Sequence, residues 1–144
     1  MGSIDLFQFE LVLAVSSNHR LAERSFIQPS DLENEVLYVY PVNEQRLDIF
    51  SQFLSPANCL PRLSKTMECE PLMMHAVAQA KGVACIPHWH LSAYPSIGLN
   101  GVRLSESGLF KSMCLLFRKE DAHYRSLQRL INHLADNAPA NRLV

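Results

Sequence analysis

The chain has 144 residues, of which 48% are hydrophobic, so its length suits one domain that buries roughly two-thirds of the surface exposed by its unfolded form. Its 13 basic and 14 acidic residues give a formal net charge of -1, which excludes a global positive field for binding nucleic-acid backbones. No apolar stretch approaches the ~20 residues of a membrane-spanning helix, and no signal sequence is recognisable. We therefore expect a cytoplasmic protein, without a membrane partner, whose four isolated cysteines stay reduced.

The first part of the chain alternates between predicted strands and short helices. The uniformly apolar run Leu11 to Val15 predicts a central strand that is covered on both faces. Ser30 to Glu33 has the S-x-x-E form of a capping box, which predicts a short helical turn before a second apolar strand at Val36 to Tyr40. A helix is predicted from Asn43, with an apolar face made by Leu47, Phe50, Phe53 and Leu54.

The same alternation continues through the middle of the chain. Leu63 to Met67 predicts a weaker strand, and Pro71 suits the first turn of a helix that is predicted to stop at Gly82. Val83 to Ile86 predicts the next strand. A short helix over Pro87 to Tyr94 follows it.

Two further strands and a helix complete the predicted elements. The strands lie at Leu99 to Leu104 and Lys111 to Arg118, and the helix at Asp121 to Asn137. That helix has one apolar stripe, formed by Tyr124, Leu127, Leu130, Ile131 and Leu134. Strands that alternate with helices at this spacing predict an α/β fold with a mainly parallel sheet in three layers.

Polar and aromatic side chains follow two of the predicted strands. One strand leads into Tyr40, Pro41, Val42 and Asn43, and another leads into Pro87, His88 and Trp89. In open α/β sheets, small ligands bind in the crevice outside the carboxyl ends of the strands. The two strand ends therefore predict one ligand site.

Each of these residues also has an ordinary structural interpretation. Asn43 can cap its helix and leave free N–H groups for an anion, or bond only to its own helix. Tyr40 and Trp89 can wall a ligand or pack in the core, and Met67 can line a flexible pocket or the core. His88 can meet a ligand carboxylate near neutral pH or serve as an ordinary hydrogen-bonding group.

The sequence gives little indication of catalysis or metal binding. Cys85, His88 and His90 spell C-x-x-H-x-H, but a structural zinc site takes four ligands and no second cluster stands at matching spacing. Cys69 lies between two glutamates that disfavour its thiolate. The chain has no G-x-S-x-G, P-loop, G-x-G-x-x-G or H-E-x-x-H motif. We predict no catalytic residue, no metal and no enzymatic activity.

Several motifs resemble the effector-binding region of LysR-type transcriptional regulators. Glu10 to Ala22 is similar to the crossover strand and turn of that family, with Arg20 where proline is usual, and Pro29 to Leu32 is similar to the turn that follows. The resemblance runs from Phe9 to Asn137. Three later segments are most similar to family members that control methionine biosynthesis, namely Tyr40 to Asp48, Phe53 to Ala57 and Ile86 to Trp89.

The resemblance implies a periplasmic-binding-protein-like fold of type 2, present here in part. Residues 1–144 would form a single partial effector-binding domain. Its second lobe would cover about 14–110, and a returning strand and terminal helix would cover about 111–138. The DNA-binding domain and most of the first lobe would lie outside this chain, which we expect to belong to a larger protein.

The resemblance also implies a function, the sensing of homocysteine as the small-molecule effector that controls methionine biosynthesis genes, with no other cofactor. Tyr40 to Asn43, Met67 with Glu68, and Pro87 to Trp89 would form this lobe's wall of the ligand cleft. DNA would be contacted only through the missing N-terminal domain, and the protein would form a homodimer or higher oligomer. The alternatives are a stand-alone small-molecule binding module and, less favoured, a thiol- or metal-dependent enzyme.

Overall fold

Strand β1 (Gly2–Ser16) runs through both parts of the molecule. The computed structural model describes residues 1–138, which divide into a unit of residues 11–109 and a unit formed by residues 1–10 and those from 110 onward. Within the first unit, the part of β1 from Leu11 to Ser16 is buried throughout. The predicted central strand is thus confirmed.

Five more strands complete the sheet of the unit of residues 11–109. They are β2 (Phe26–Ile27), β3 (Val36–Val39), β4 (Leu63–Thr66), β5 (Val83–Pro87) and β6 (Leu99–Leu104). Their order is β2-β6-β1-β5-β3-β4. The pairings β2–β6, β5–β3 and β3–β4 are parallel, whereas β1 is antiparallel to both β5 and β6. The predicted α/β class with a mainly parallel sheet is confirmed, with β1 as the exception.

The helix predicted from Asn43 is irregular. It consists of a 3₁₀ turn at Glu44–Arg46, a π-helix at Ile49–Leu54 and a 3₁₀ turn at Ser55–Ala57. Pro56 has no N–H with which to continue an α-helical bond pattern, and the Ser55 N–H instead donates to the Phe50 carbonyl. The predicted apolar face is confirmed, because Phe50, Phe53 and Leu54 are buried and Leu47 is half-buried.

Helix α1 (Glu70–Ala78) has Pro71 in its first turn, as predicted, but its end differs from the prediction. Ala80, with φ of 57°, takes the left-handed conformation after the helix. A Cβ atom on Gly82 would lie 2.6 Å from both the Tyr38 ring and the Val36 carbonyl oxygen. Gly82 is therefore required for close packing of β5 against β3 and is not the helix stop.

The predicted capping box is also displaced by two positions, from Ser30 to Gln28. The 3₁₀ helix spans Pro29–Leu32, and its N-cap is Gln28, whose backbone N–H donates to Asp31 Oδ2 at 2.8 Å. Pro29 is suited to the first helical position because its φ is fixed and its missing N–H has no helical acceptor there. The helix therefore begins earlier than the S-x-x-E pattern predicted.

The other unit contains β7 (Leu109–Phe117), which pairs with β1, a 3₁₀ turn at Lys119–His123 and helix α2 (Arg125–Asp136). Of the apolar stripe on the terminal helix, only Ile131 is buried, while Tyr124 and Leu130 are 52% and 46% exposed. Within residues 1–138, every helix is too short or too polar to cross a bilayer.

Candidate functional site

Three strands of the unit of residues 11–109 end side by side. Strands β5, β3 and β4 are consecutive and parallel, with Tyr38 paired to Ala84 and Val39 paired to Thr66. The Met67 N–H continues this ladder by donating to the Val39 carbonyl oxygen at 2.9 Å. The chain segments that follow these strands therefore leave the sheet at one side, which we call the carboxyl edge. Eight of the nine predicted ligand-binding residues lie in these segments and the ninth, Pro87, is the last residue of β5, while their contact with a ligand stays a prediction.

Tyr40, immediately after β3, is tied to the first residue of α1. Its hydroxyl donates to Glu70 Oε2 at 2.6 Å. Burial of the phenol, followed by its hydrogen bond to the Glu70 carboxylate, raises the pKa of Tyr40 above its usual value. Tyr40 is therefore a protonated hydrogen-bond donor at neutral pH. Tyr40 also packs against the core, which agrees with its structural interpretation, while its contact with a ligand stays a prediction.

Two side chains from the segment after β5 reach the same carboxylate. His90 Nδ1 lies 3.0 Å from both oxygens of Glu70, and the Tyr94 hydroxyl donates to Oε1 at 3.3 Å. Burial and the nearby carboxylate raise the pKa of Tyr94 as well. Together Tyr40, Glu70, His90 and Tyr94 form the Glu70 cluster, which joins the end of β3, the start of α1 and the 3₁₀ turn His88–Ala93.

Glu70 is compensated by polar donors but not by a permanent cation. Its side chain is 25% exposed, and within the described residues its one ion-pair partner is His90. An acid in the first turn also interacts favourably with the helix dipole of α1. Sequence reasoning missed Glu70, His90 and Tyr94, because only the folded chain brings them together. A glutamate at the start of a predicted helix, beside Pro71, was the one available signal.

The remaining predicted residues of the carboxyl edge differ in burial. Pro41, Val42, Asn43 and Glu68 are exposed, whereas Met67, Pro87, His88 and Trp89 are half-buried. Met67 and Tyr40 pack against the core cluster beneath the edge. The Trp89 ring lies 5.7 Å from the His88 ring and 5.8 Å from the His90 ring, measured between centroids. The edge therefore presents both polar and apolar surface.

Asn43 is an ordinary cap. Its side-chain oxygen accepts the Gln45 N–H at 2.9 Å. The helix that follows, Glu44–Arg46, is a single 3₁₀ turn. So short a helix lacks the aligned peptide dipoles that attract an anion to a longer helix.

The thiols and imidazoles do not assemble into a metal centre in the described part of the chain. Residues 1–138 contain no group of three or more His, Cys, Asp or Glu side chains arranged to hold an ion. All four cysteines are free. His90, which belongs to the C-x-x-H-x-H pattern, faces the carboxylate of Glu70.

A second carboxylate cluster lies at the other end of β3. Glu35 Oε1 accepts hydrogen bonds from Arg20 Nε at 3.1 Å and Nη2 at 2.8 Å, and Oε2 lies 3.2 Å from His19 Nε2. Because the Leu21 N–H donates to His19 Nδ1 at 3.2 Å, the ring hydrogen sits on Nε2 and points to Glu35. Glu35 is 11% exposed. This Glu35 cluster fixes the loop after β1 to the start of β3.

Comparison with known proteins identifies relatives of the chain. The family described as "LysR substrate binding domain" matches residues 1–139. The HTH-type transcriptional regulator MetR of Salmonella typhimurium is 32% identical over 133 residues, which are 92% of this chain and 42% of that protein. MetR of Buchnera aphidicola is 34% identical over 117 residues, 81% of this chain and 37% of that protein. The chain therefore spans less than half the length of these curated relatives.

A solved structure shares the fold. The regulatory domain of MetR, a LysR family regulator from N. meningitidis, superposes with a TM-score of 0.83 at 25% identity, covering 94% of this chain and 62% of that one. This likeness agrees with a periplasmic-binding-protein-like fold of type 2. These relatives are transcriptional regulators and not enzymes. From its match over nearly the whole length, we conclude that the chain belongs to the LysR substrate-binding domain family.

Proposed function

We propose that this chain is the effector-sensing part of a LysR-type regulator of methionine biosynthesis genes, and that it binds homocysteine at the carboxyl edge. The observation that supports the proposal is the side-by-side ending of β3, β4 and β5, because the predicted residues lie at or just after the ends of these three strands. The similarity to MetR supports the choice of effector. The stand-alone binding module has no observation of its own in its favour.

The chemistry of the carboxyl edge suits a sulfur-containing amino acid. Trp89 and Met67 are half-buried and offer apolar, polarizable surface to a thiol. The exposed carboxylate of Glu68 can meet an ammonium group. His88, when protonated, can meet a carboxylate. Homocysteine carries all three of these groups.

The effector would act by changing the balance between two arrangements of the regulator. Homocysteine held between two lobes favours one relative orientation, and contacts in a homodimer or higher oligomer transmit that bias to a DNA-binding domain outside this chain. This assignment places the protein in the cytoplasm. Promoter affinity or DNA bending by the entire regulator should then change with homocysteine, and indifference of both would contradict the mechanism.

A nuclear magnetic resonance titration tests the binding step. The ¹⁵N-labelled chain is titrated with L-homocysteine, and with L-homoserine as a control that replaces the thiol with a hydroxyl. We expect weak, saturable binding, because the ligand would lack contacts from an opposing lobe. The amide shifts should concentrate at the non-proline residues of 40–43, 67–68 and 87–89 and be smaller with homoserine. No saturable shift in these segments, or shifts confined to other parts of the chain, would contradict the proposal.

Self-association would follow from the exposed part of the terminal helix. Tyr124 and Leu130 are each about half exposed on its apolar stripe, and a stripe of this kind is stabilised by a partner surface. We expect the isolated chain to self-associate through α2, and Leu130→Glu to weaken the association. A strictly monomeric sedimentation profile of the wild-type chain at high concentration would remove this part of the proposal.

A further inference from the structure

We infer that Glu70 is a positioning residue, whose carboxylate holds the turn His88–Ala93 against the end of β3 and so orients Trp89 at the carboxyl edge. The inference rests on the proposed function, since Trp89 is one of the proposed ligand contacts. The attachment of the turn through Glu70, which we call the tether, is independent of the ligand's identity. None of the nine predicted site residues other than Tyr40 belongs to this cluster.

The tether joins three chain segments through one side chain. Glu70 receives the Tyr40 hydroxyl from the end of β3, His90 from the middle of the turn and the Tyr94 hydroxyl from the residue after it. His90 is the immediate neighbour of Trp89, and their ring centroids are 5.8 Å apart. The contact of His90 with Glu70 therefore restrains the backbone next to Trp89.

Two further hydrogen bonds of this segment can be traced. The Ser92 hydroxyl donates to the Trp89 carbonyl oxygen at 2.6 Å, and the Tyr94 N–H donates to the Leu91 carbonyl oxygen at 3.0 Å. Both bonds are internal to the segment. They shape the turn without fixing its place on the sheet.

Leu91 supplies a separate, apolar attachment. Its side chain packs against the core cluster, and it lies so near Gly101 that a Cβ atom there would meet Leu91 Cδ1. Loss of the Glu70 carboxylate should therefore leave the turn on the protein through Leu91 while freeing its polar side. The expected result is a folded protein with a displaced Trp89.

If Glu70 only stabilised helix α1, its removal should have a different effect on Trp89. Its negative charge in the first turn of α1 would stabilise the helix without affecting the surroundings of Trp89. Glu120 provides a matched control, since it is an exposed acid in the first turn of the 3₁₀ helix Lys119–His123 in the other unit. Glu120→Gln removes a comparable charge without a comparable tether.

Trp89 reports on its own position, because it is the only tryptophan of the chain. We would measure its emission maximum and its quenching by acrylamide in the wild type, Glu70→Ala, Glu70→Gln and Glu120→Gln, with circular dichroism as the check of folding. We expect a shift to longer wavelength and stronger quenching in Glu70→Ala. Glu70→Gln, which keeps one acceptor oxygen, should lie between Glu70→Ala and the wild type. Glu120→Gln should match the wild type.

Unchanged emission and quenching in a folded Glu70→Ala protein would overturn the inference. Should Glu70→Ala not fold, Glu70→Gln decides in the same way. Tyr94→Phe, which removes only one donor, is a third variant and should give a smaller change in the same direction.

Titration with L-homocysteine separates this inference from the proposed function. If the wild type binds and Glu70→Ala binds about tenfold more weakly with altered emission, both stand, since a charge-assisted hydrogen bond is worth roughly that factor. If the wild type and Glu70→Ala bind homocysteine equally and the Trp89 emission is unchanged, the positioning role is wrong and the proposed function stands. If emission changes but the wild type does not bind, the tether stands and the proposed effector is wrong.

Discussion

Glu35 and Glu70 are two partly or wholly buried carboxylates of the same unit, placed at opposite ends of β3, and their surroundings differ. Glu35 meets the permanent cation of Arg20 as well as His19, and it is 11% exposed. Glu70 meets two phenols and one histidine, and it is 25% exposed. A buried charge with a full set of partners favours one arrangement of the chain. A carboxylate that is more exposed to solvent can also help to position the residues of a binding site. The Glu35 cluster is structural, and the Glu70 cluster belongs to the candidate site.

The largest expected effect is that of Glu35→Ala. This change removes the carboxylate that His19 and Arg20 share, and it should lower the free energy of unfolding by about 3 kcal/mol, after allowance for the exposure of Arg20. Urea unfolding measures the loss. Glu23→Ala, at an exposed position near the same loop, is the control and should lie close to the wild type. Equal stability of the two variants would remove the structural role of the Glu35 cluster.

Glu70→Ala should cost less in stability than Glu35→Ala. Water can reach the donors that the change leaves without an acceptor, so we expect a loss of about 1.5 kcal/mol in the free energy of unfolding. The same urea experiment compares the two variants directly. A larger loss for Glu70→Ala than for Glu35→Ala would reverse the comparison between the two clusters.

The hydrogen bond between Tyr40 and Glu70 makes the stability of the folded protein depend on pH. The pKa of Tyr40 is raised in the folded protein, so above pH 10, the ordinary value for tyrosine, the unfolded state loses this proton before the folded state does. The folded state then binds more protons, and stability falls as pH rises. This contribution is fully present below pH 10.

Tyr40→Phe should therefore make the alkaline loss of stability less steep, and near neutral pH it should cost about 1 kcal/mol for the missing hydrogen bond. Thermal unfolding between pH 7 and 11 measures both effects. Tyr38→Phe, two residues earlier and within β3, is the matched control, because its hydroxyl donates to the Lys81 carbonyl oxygen and not to a carboxylate. Parallel pH profiles of wild type and Tyr40→Phe would argue against the Glu70 contact.

The smallest expected effect is that of Arg20→Lys. Arg20 donates from two nitrogens to one oxygen of Glu35 and also to the Asp31 carbonyl oxygen, a geometry that an ammonium group cannot reproduce. We expect a loss of about 0.5 kcal/mol in the free energy of unfolding. Arg24→Lys, at the more exposed pair with Asp31, serves as the comparison and should change stability less. A gain in stability for Arg20→Lys would contradict the account.

Sequence patterns predicted β3 and β5 well, because each is a short apolar run bounded by turn residues, whereas the two-residue strand β2 was not predicted. Leu99–Leu104 has the same bounds in sequence and structure, and β3 and β5 differ from their predicted ranges by one residue. Gly82 was interpreted wrongly because a glycine required for close packing looks the same in a sequence as one required at a helix end. The π-helix at Ile49–Leu54 preserves the predicted apolar face while changing the hydrogen-bond pattern.

The candidate site was less accessible from sequence than the fold. The order of parallel strands follows from rules of topology, so the neighbouring ends of β3 and β5 were foreseeable. The convergence of Tyr40, Glu70 and Tyr94 depends on side-chain directions across 54 positions of the chain, which no local pattern records. Arg20 was noticed only as a departure from a family motif, whereas the structure pairs it with Glu35.

The most direct test of the central claim is the emission of Trp89 during a titration of the wild-type chain with L-homocysteine. A ligand held at the carboxyl edge would contact or displace this tryptophan, so the account predicts a saturable change in emission that is weaker with L-homoserine. Emission that stays constant while the amide resonances show homocysteine bound elsewhere would contradict the assignment of the carboxyl edge as the effector site.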